Sequence, residues 1–277
     1  MMTRMDASTV DKRAALAAIL GGMKDVIVAY SGGVDSTFLA AEAHAVLGTR
    51  CLAVTAVSPS LARRELDEAR RIALDRGWNH RVIATHEVAR EEYAANDPDR
   101  CYWCKSELFD VLTPLAAERS AAIAIGTVVD DLGDHRPGLR AAAERSIRQP
   151  LAETGFSKAE VRALSAEMGL PTADKPASPC LASRFAYGVR VTPQGLRRIE
   201  RAEEMLRGLG FEELRVRDHG DLARIEVPAP QIERAATLRA EILAALSELG
   251  FRYVTLDLMG FRSGSLNETL PPPTVGR

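Results

Sequence analysis

Short apolar runs alternate with longer amphipathic stretches over most of the chain. Runs of this length, rich in β-branched residues and lacking a polar face, are typical of strands buried on both sides of a parallel sheet. They are residues 26–30, 51–57, 81–85 and 121–128. Other stretches keep their apolar side chains on one face and predict helices. They include residues 8–21, 37–47, 60–77, 101–115 and 157–168. The alternation predicts the α/β class, a parallel sheet with helices on both faces.

The pattern changes near residue 190. A charged amphipathic helix is predicted at 194–209, and two polar-apolar alternating segments around His219-Gly220-Asp221 predict a hairpin. A helix at 230–249 and a strand at 252–258 complete a small α+β arrangement. The predicted organisation is therefore a domain over 1–188, a smaller C-terminal α+β domain for substrate binding or oligomerisation over 189–270, and a Pro-rich tail over 271–277.

Composition limits the classes of function. The 277 residues are 46% hydrophobic and 27% charged, which suits an ordinary globular core. The formal net charge of -2 lacks the basic excess that usually marks a nucleic-acid-binding surface. No apolar run approaches the ~20 residues that cross a bilayer, and the N-terminus lacks the apolar region of a signal peptide. We expect a cytoplasmic protein with neither a membrane nor a nucleic-acid partner.

The segment Ser31-Gly32-Gly33-Val34-Asp35-Ser36 joins the first predicted strand to a helix. Backbone N–H groups of such a turn, together with the helix dipole, form an anion site. No lysine follows the second glycine, so this is not a Walker A loop, and a GxGxxG fingerprint is absent. Asp35 has three possible roles: it orients the loop, contacts a Mg²⁺–pyrophosphate complex, or caps the helix.

This loop resembles the PP-loop of the ATP pyrophosphatases, in which it binds the pyrophosphate end of ATP. The alternative, a Gly-Gly turn in an unrelated α/β protein, fits the complete six-residue match less well. The resemblance implies ATP and Mg²⁺ as cofactors. The residues that would bind them are Ser31, Gly32, Gly33, Asp35 and Ser36.

Two further loops are candidates for the site. Asp130-Asp131 and residues 133–138 follow a predicted strand, and ligands of open α/β sheets bind at the carboxyl ends of strands. Residues 174–188 form a long aperiodic, Pro-rich segment that contains Cys180 and Arg184. Aperiodic segments of this length in compact domains are usually functional or disordered, and the aromatic and cysteine content argues against disorder.

Four cysteines are too few for a disulfide framework. Cys101 and Cys104 form a Cys-x-x-Cys pair, which can grip a metal or cluster, and with Cys180 they supply three thiolates. Three thiolates suit a [4Fe–4S] cluster with one open iron, whereas structural Zn²⁺ would want a fourth ligand. The alternative is that the pair is packed in the core. Cys51 opens a predicted strand and is expected to be a core residue.

Arginines recur beside polar loop and hairpin residues. Guanidinium groups suit bidentate phosphate recognition, although charged residues on an edge strand also discourage aggregation. The set comprises Arg184, Arg215, Arg217, Arg224 and Arg262.

Beyond the PP-loop, several narrower motifs look like those of the LarE family of ATP-dependent sulfur transferases. They are RCYWCK at 100–105, GDHRPG at 133–138, KPASPCLASR at 175–184, and RVR at 215–217 with ARIEV at 223–227. The resemblance runs from about residue 8 to residue 268. It implies ATP-dependent conversion of a carboxylate of a pyridinium dicarboxylate mononucleotide into a thiocarboxylate, a step in making the nickel-pincer nucleotide of lactate racemase.

The resemblance also implies roles for particular residues. Cys180 is the expected catalytic cysteine. It either gives up its own sulfur and becomes dehydroalanine, or joins Cys101 and Cys104 in holding a [4Fe–4S] cluster that carries an extra sulfide. Because all three cysteines are present, the cluster route is favoured. The expected substrate-binding residues are Trp103, Arg136, Ser183, Arg184, Arg215 and Arg262.

Two other functions stay open at this point. One is a different adenylating enzyme of the superfamily, such as a tRNA thiolase, which salt-sensitive tRNA binding would reveal. The other is a non-catalytic nucleotide- or iron–sulfur-binding protein, which would show no ATP–pyrophosphate exchange. The family resemblance further suggests a homo-oligomer, with a hexamer as the suggested state.

Overall fold

The structure is a computed structural model that describes residues 7–133 and 137–262. The helices are α1 Ala7–Gly22, α2 Val34–Leu47, α3 Arg63–Asp75, α4 Glu91–Ala94, α5 Arg100–Arg119, α6 Pro137–Glu144, α7 Pro150–Glu153, α8 Lys158–Glu167, α9 Pro193–Gly208, α10 Ile232–Thr237 and α11 Arg239–Glu248. The strands are β1 Val26–Ala29, β2 Cys51–Val57, β3 His80–Ala84, β4 Ala122–Ala124, β5 Arg215–Asp218, β6 Leu222–Glu226 and β7 Tyr253–Leu256.

The chain divides into two compact units, and the second is discontinuous in sequence. The first unit contains the residues up to Ser58, Arg63–Glu87 and Cys101–Ser178. The second contains Pro59–Ala62, Val88–Arg100 and the residues from Pro179 onward. The sequence-based boundary at 188/189 stays a prediction, and the predicted tail at 271–277 lies outside the described residues.

The first unit contains a four-stranded parallel sheet in the order β3-β2-β1-β4. Val26 of β1 pairs with Cys51 on one side and with Ala122 on the other. β4 is shorter than the predicted 121–128, and its outer side forms an isolated parallel bridge between Ala124 and Arg148. The predicted parallel sheet is confirmed.

Helices cover both faces of this sheet. Along β1, Val26 and Val28 pack in one apolar cluster with residues of α1, α2 and α8. The intervening Ile27 packs in a second cluster with residues of α5 and α6. Successive strand residues point to opposite faces, so the two clusters are the two covered sides predicted from the continuous apolar runs.

The second unit has a three-stranded sheet in the order β5-β6-β7. β5 and β6 form the predicted antiparallel hairpin, and β7 runs parallel to β6. The single helix predicted at 230–249 is instead two helices, because Leu238 has ψ 21°, outside the helical range. Ala235 of α10 and Ile242 of α11 both pack in the core of this unit.

No helix within 7–133 and 137–262 is both long and apolar enough to cross a membrane.

Two histidines of the first unit pack against aromatic rings, His44 against Trp78 and His80 against Tyr30. The His44 ring stacks on Trp78 with 5.2 Å between centroids, and His80 Nε2 lies 2.9 Å from Thr55 Oγ1. Burial lowers the pKa of both imidazoles below the ordinary 6.5. The folded chain therefore holds these rings neutral at pH values where the unfolded chain protonates them.

We expect the free energy of unfolding to fall as the pH drops through about 6.5 toward the depressed folded pKa values, and to level off below them. The loss is at most about 1.4 kcal/mol per pH unit for each histidine. Urea unfolding between pH 5 and 8 measures it. His80→Gln should flatten the profile, whereas His86→Gln, at an exposed position, should not. Equal slopes for His80→Gln and the unsubstituted chain would contradict this reasoning.

Candidate active site

The PP-loop is closed on itself by two serine hydroxyls. The Oγ atoms of Ser31 and Ser36 lie 3.0 Å apart, and Ser36 Oγ donates to Gly33 O at 3.2 Å. Helix α2 begins at Val34, three residues before the predicted start, with Gly33 at its N-cap. Gly33 has no side chain to cover the first N–H groups of α2, so these donors stay available to an anion.

Two glycines permit the close packing of this loop. Gly32 has φ +75° and a Cβ there would lie 2.9 Å from Ala69 Cβ. Gly126, just past β4, approaches the start of α2 so closely that a Cβ would lie 2.8 Å from Asp35 C and Ser36 N. Backbone atoms cannot turn aside as a flexible side chain can, so Gly126 holds α2 in its place without adding bulk.

Asp35 is bonded on one oxygen only. Its Oδ2 accepts a hydrogen bond from the Lys158 ammonium. Its Oδ1 is buried and has no hydrogen-bond partner among the described residues. A buried carboxylate oxygen without a donor suits a cation ligand, and oxygen is the ligand that Mg²⁺ prefers. The arrangement therefore fits a Mg²⁺ ion, for which Asp35 would supply an oxygen ligand.

Lys175 is a second lysine at the loop. Its Nζ bonds to Gly32 O at 3.1 Å and to carboxylates of Glu65 and Glu68, each at 2.8 Å. Burial favours the neutral form of Glu65, but Lys175 outweighs it and the pKa of Glu65 is lowered. The sequence analysis includes Lys175 in a motif without giving it a role, and it does not single out Lys158. The absence of a lysine from residues 31–36 was a signal that lysines from elsewhere in the chain would lie at this loop.

The acidic loop after β4 supports neighbouring backbone. Asp130 Oδ2 accepts the N–H of Lys158 at 2.8 Å, and Asp131 Oδ2 accepts the N–H of Val128 at 3.2 Å. Asp130 thus fixes the first residue of α8. Arg136 of the same loop lies outside the described residues, and its part in substrate binding stays a prediction.

Cys101 and Cys104 lie three residues apart near the start of α5, on the same side of the helix. Cys101 is exposed and Cys104 is half-buried. Trp103 lies between them in sequence, and its ring meets the Tyr102 ring edge-on at 5.1 Å. Cys51 is fully buried, and burial raises the pKa of its thiol to about 12, so its predicted core role is confirmed.

Cys180 belongs to the second unit and precedes a 3-10 turn, Leu181–Arg184. Its carbonyl oxygen accepts hydrogen bonds from Ser183 Oγ at 2.7 Å and from Arg184 Nη1 at 3.0 Å. Arg184 also donates to Pro179 O. The backbone that carries the thiol is therefore held by two of the predicted substrate-binding residues.

Buried ion pairs hold those arginines in turn. Arg184 meets Glu203 through two N–H···O contacts of 2.9 and 3.2 Å, with side chains only 3% and 2% exposed. Arg217 pairs in the same way with Glu226 and donates to Ser183 O at 2.7 Å. Burial favours the neutral form of Glu203, but the positive charge of Arg184, Arg207 and Arg215 lowers its pKa.

The cluster carries more positive than negative charge. Its arginines are Arg184, Arg207, Arg215, Arg217 and Arg224, and the carboxylates they meet are Glu203, Glu226 and Asp257. Burial and the neighbouring guanidinium groups lower the pKa of Arg215 to about 10. A buried excess of positive charge favours an anion. Arg262 Nη1 lies 3.4 Å from Gly260 O, and its role in phosphate binding stays a prediction.

The three predicted cluster ligands are divided between the units, with Cys101 and Cys104 in the first and Cys180 in the second. Within the described part of the chain, no group of three or more His, Cys, Asp or Glu side chains is arranged to hold a metal ion. The four cysteines, all of them described, form no disulfide. The [4Fe–4S] cluster stays a prediction.

The parallel sheet and the PP-loop after β1 define the chain as a member of the PP-loop ATP pyrophosphatase class, and comparison with known proteins agrees. No protein-family model matches the chain. The tRNA-specific 2-thiouridylase MnmA of Cereibacter sphaeroides is 32% identical over 55% of this chain and 50% of its own length. That partial match does not favour a tRNA thiolase.

Other relatives match along nearly the whole chain. The pyridinium-3,5-bisthiocarboxylic acid mononucleotide synthase of Lactiplantibacillus plantarum is 40% identical over 95% of this chain and 96% of its own length. An uncharacterized protein of Synechocystis sp. is 48% identical over 92% of this chain and 96% of its own length. The chain belongs to the LarE family, as its motifs predict, and is accordingly an enzyme of the sulfur-transferring class.

Gly126→Ala should weaken the binding of ATP without unfolding the chain, because the new methyl group meets the backbone of Asp35 and Ser36 and must displace the PP-loop. Calorimetric titration with ATP and Mg²⁺ measures the change. Gly22→Ala is the matched control, since its Cβ would meet nothing within 4 Å. ATP affinity unchanged in Gly126→Ala would show that the close approach does not set the loop geometry.

Glu203→Gln should lower the free energy of unfolding by about 3–5 kcal/mol, because it leaves the buried Arg184 without its counter-charge. Urea unfolding at pH 7.5 measures the loss. Glu204→Gln removes the same charge from an exposed neighbouring position on α9 and should have little effect. Equal losses in the two variants would contradict the buried ion pair.

Proposed function

We propose that this enzyme adenylates a carboxylate of a pyridinium dicarboxylate mononucleotide and converts it to a thiocarboxylate, a step toward a nickel-pincer nucleotide. The observation that carries the proposal is the 40% identity, along nearly the whole chain, to a synthase of that product class. The complete Ser31–Ser36 loop and the buried Asp35 oxygen without a hydrogen-bond partner among the described residues agree with it. ATP and Mg²⁺ follow from the family, and the residues to hold them are Ser31, Gly32, Gly33, Asp35 and Ser36.

Adenylation solves a leaving-group problem. A carboxylate resists nucleophiles, because displacement at its carbon would expel oxide. A substrate carboxylate oxygen therefore attacks the α-phosphorus of ATP, the bond from that phosphorus to the bridging oxygen breaks, and pyrophosphate leaves. The PP-loop N–H groups and the serine hydroxyls stabilise the negative charge that pyrophosphate gathers. The product is an acyl adenylate, whose leaving group is AMP.

Sulfur then replaces AMP. The Cys180 thiolate attacks the activated carbonyl carbon, AMP leaves, and a thioester joins the substrate to the chain. A base removes the Cα proton of Cys180, the Cβ–Sγ bond breaks, and the electron pair stays on sulfur. The products are a thiocarboxylate and dehydroalanine at position 180. The hydrogen bonds that Ser183 and Arg184 make to the Cys180 carbonyl support a fixed position for the attacking thiol.

Substrate binding is proposed to use the arginine cluster of the second unit. Arg215 is proposed to recognise the substrate phosphate, because it is buried beside the guanidinium groups of Arg184 and Arg217 and this surrounding lowers its pKa to about 10. Arg184 and Ser183 are proposed to act by holding the Cys180 loop. Trp103, Arg136 and Arg262 complete the proposed set.

The [4Fe–4S] cluster predicted from Cys101, Cys104 and Cys180 would supply a terminal sulfide and spare the protein sulfur. The presence of all three cysteines supports it. The homo-oligomer, with a hexamer as the suggested state, is likewise proposed from the family, and sedimentation velocity tests it.

A single anaerobic turnover tests both the function and the sulfur source. With ATP and the pyridinium mononucleotide, the chain should release AMP and pyrophosphate and lose the mass of one H₂S at Cys180. Cys180→Ser should still exchange pyrophosphate with ATP in the presence of substrate and form no thiocarboxylate. Intact-protein mass spectrometry and nucleotide chromatography give the readouts.

Cys101→Ser/Cys104→Ser is the companion variant. It should keep one turnover if Cys180 is the sulfur source. About four irons per chain, an unchanged mass and an inactive Cys101→Ser/Cys104→Ser would replace the sacrificial step with the cluster. No substrate-dependent exchange in any variant would overturn the proposed function.

A further inference from the structure

The PP-loop has to bind a polyanion without a lysine of its own, because residues 31–36 contain no basic side chain. Its serine hydroxyls and N–H groups carry only partial charges. Two ammonium groups come from far along the chain instead: Lys158 meets Asp35 across 123 positions, and Lys175 meets Gly32 across 143. These two lysines differ in how firmly they are held.

Each hydrogen of the Lys175 ammonium group has a hydrogen-bond acceptor. Its side chain is only 9% exposed, and its three ammonium hydrogens face three acceptors, Gly32 O and the carboxylates of Glu65 and Glu68. Moving this ammonium would leave two carboxylates, one of them buried, without a partner. Lys175 therefore supports the loop and does not exchange partners.

Lys158 is held at its backbone and loosely at its tip. Its N–H bonds to Asp130, and it follows Ser157, which forms a capping box with Glu160. Lys12 bonds both oxygens of Glu160, at 2.8 and 2.9 Å. By contrast the Lys158 side chain is 38% exposed, and among the described residues its ammonium meets one carboxylate, Asp35. The backbone of Lys158 is therefore fixed, whereas its ammonium group is free to change position.

Asp35 needs a cation at all times. Its Oδ1 is buried without a donor, so loss of the Lys158 contact would leave the carboxylate uncompensated unless another cation takes its place. Magnesium arriving with a nucleotide is such a cation. The negative charge of the pyrophosphate is at the same time the strongest available partner for a displaced ammonium.

We propose that Lys158 is an exchangeable cation of the PP-loop, which neutralises Asp35 in the empty protein and moves to the pyrophosphate portion of ATP when Mg²⁺ takes over Asp35. The inference rests on the proposed function only in taking this loop as the ATP pyrophosphate site. It adds a binding residue, Lys158, and an order of events in which Mg²⁺ and the ammonium change partners together.

The exchange predicts opposite changes in pyrophosphate affinity when Asp35 and Lys158 are substituted. Without metal, Asp35 competes with pyrophosphate for the same ammonium. Removing Asp35 should then tighten the binding of metal-free pyrophosphate, and removing the ammonium should weaken it. A lysine that served only to hold Asp35 in shape would instead make both substitutions weaken binding.

The test is calorimetric titration of the full chain with inorganic pyrophosphate at constant ionic strength, first in EDTA and then with excess Mg²⁺. Lys158→Met should weaken metal-free binding by about 10- to 100-fold, the range for a lost hydrogen bond between charged groups. Asp35→Asn should tighten it by about two- to fivefold, the range for a partly exposed ion pair. With Mg²⁺, Asp35→Asn should bind more weakly than the unsubstituted chain.

The controls separate charge from fold. Lys158→Arg should restore most of the affinity, and Lys12→Met removes a lysine at the same end of α8 while leaving the Asp35–Lys158 pair intact. AMP, which has no β- or γ-phosphate, should bind equally to Lys158→Met and the unsubstituted chain. If Lys158→Met fails to fold in circular dichroism, Asp35→Asn and Lys158→Arg still decide.

Unchanged pyrophosphate affinity in Lys158→Met, or weaker metal-free binding in Asp35→Asn, would overturn the exchange. The titrations use no pyridinium substrate. A chain that binds pyrophosphate as described and fails to adenylate that substrate would thus refute the proposed function and leave Lys158 in its role.

Discussion

The position of β1 between two parallel neighbours governs the rest of the first unit. β1 pairs with β2 and β4, so its backbone is satisfied on both sides and its carboxyl end cannot shift along the sheet without breaking two ladders. The PP-loop leaves that end directly. Gly126 follows β4, which pairs with β1, and its missing Cβ lets it touch the start of α2. The anion site is thus placed by strand pairing and shaped by one close backbone contact.

Buried charge is organised differently in the two units. Among the described residues, two lysines lie at the PP-loop, and each bonds to defined acceptors: Lys158 to Asp35, and Lys175 to Gly32 O, Glu65 and Glu68. This pairing balances the acidic side chains around the loop. In the second unit, five arginines meet three carboxylates, and burial together with the neighbouring guanidinium groups lowers the pKa of Arg215. In surroundings of low dielectric constant, buried guanidinium groups attract an anion more strongly than they would in water. The same burial makes their charge costly when no anion is bound. We infer that both arrangements lower the free energy of unfolding of the ligand-free protein and strengthen its binding of an anion.

The fold could largely be predicted from the chain because its signals are local. Continuous apolar runs at 26–30 and 51–57 predicted strands, and the amphipathic stretch at 157–168 predicted α8. Predictions were wrong where nothing local marked the change: the bend at Leu238 has no glycine or proline, and β4 ends at Ala124, inside the apolar run predicted at 121–128. The discontinuous second unit also has no local signal, since 59–62 and 88–100 join it only through tertiary packing.

The site was predictable where chemistry and spacing coincide, as in the PP-loop. The partners of that loop were not, because Lys158 and Lys175 lie far from it in sequence and resemble ordinary surface lysines by pattern alone. Arg184 was singled out as a phosphate ligand from its neighbours in a motif, and the structure adds that its guanidinium is committed to Glu203 and to the Cys180 loop. The roles of these lysines and of Arg184 depend on how deeply each side chain is buried and which partner it bonds to. Both are set by the folded structure and cannot be read from the local sequence.

The backbone at Cys180 is held in place, and this bears on the proposed role of its thiol. Arg184 is fixed by Glu203, and it donates a hydrogen bond to the Cys180 carbonyl. In the proposed reaction this thiol is the nucleophile, and restricting the backbone that carries a nucleophile favours a directed attack over a random encounter. A cysteine that gave up its own sulfur would react once per chain, so the accuracy of that one approach would matter more than rapid release of the product.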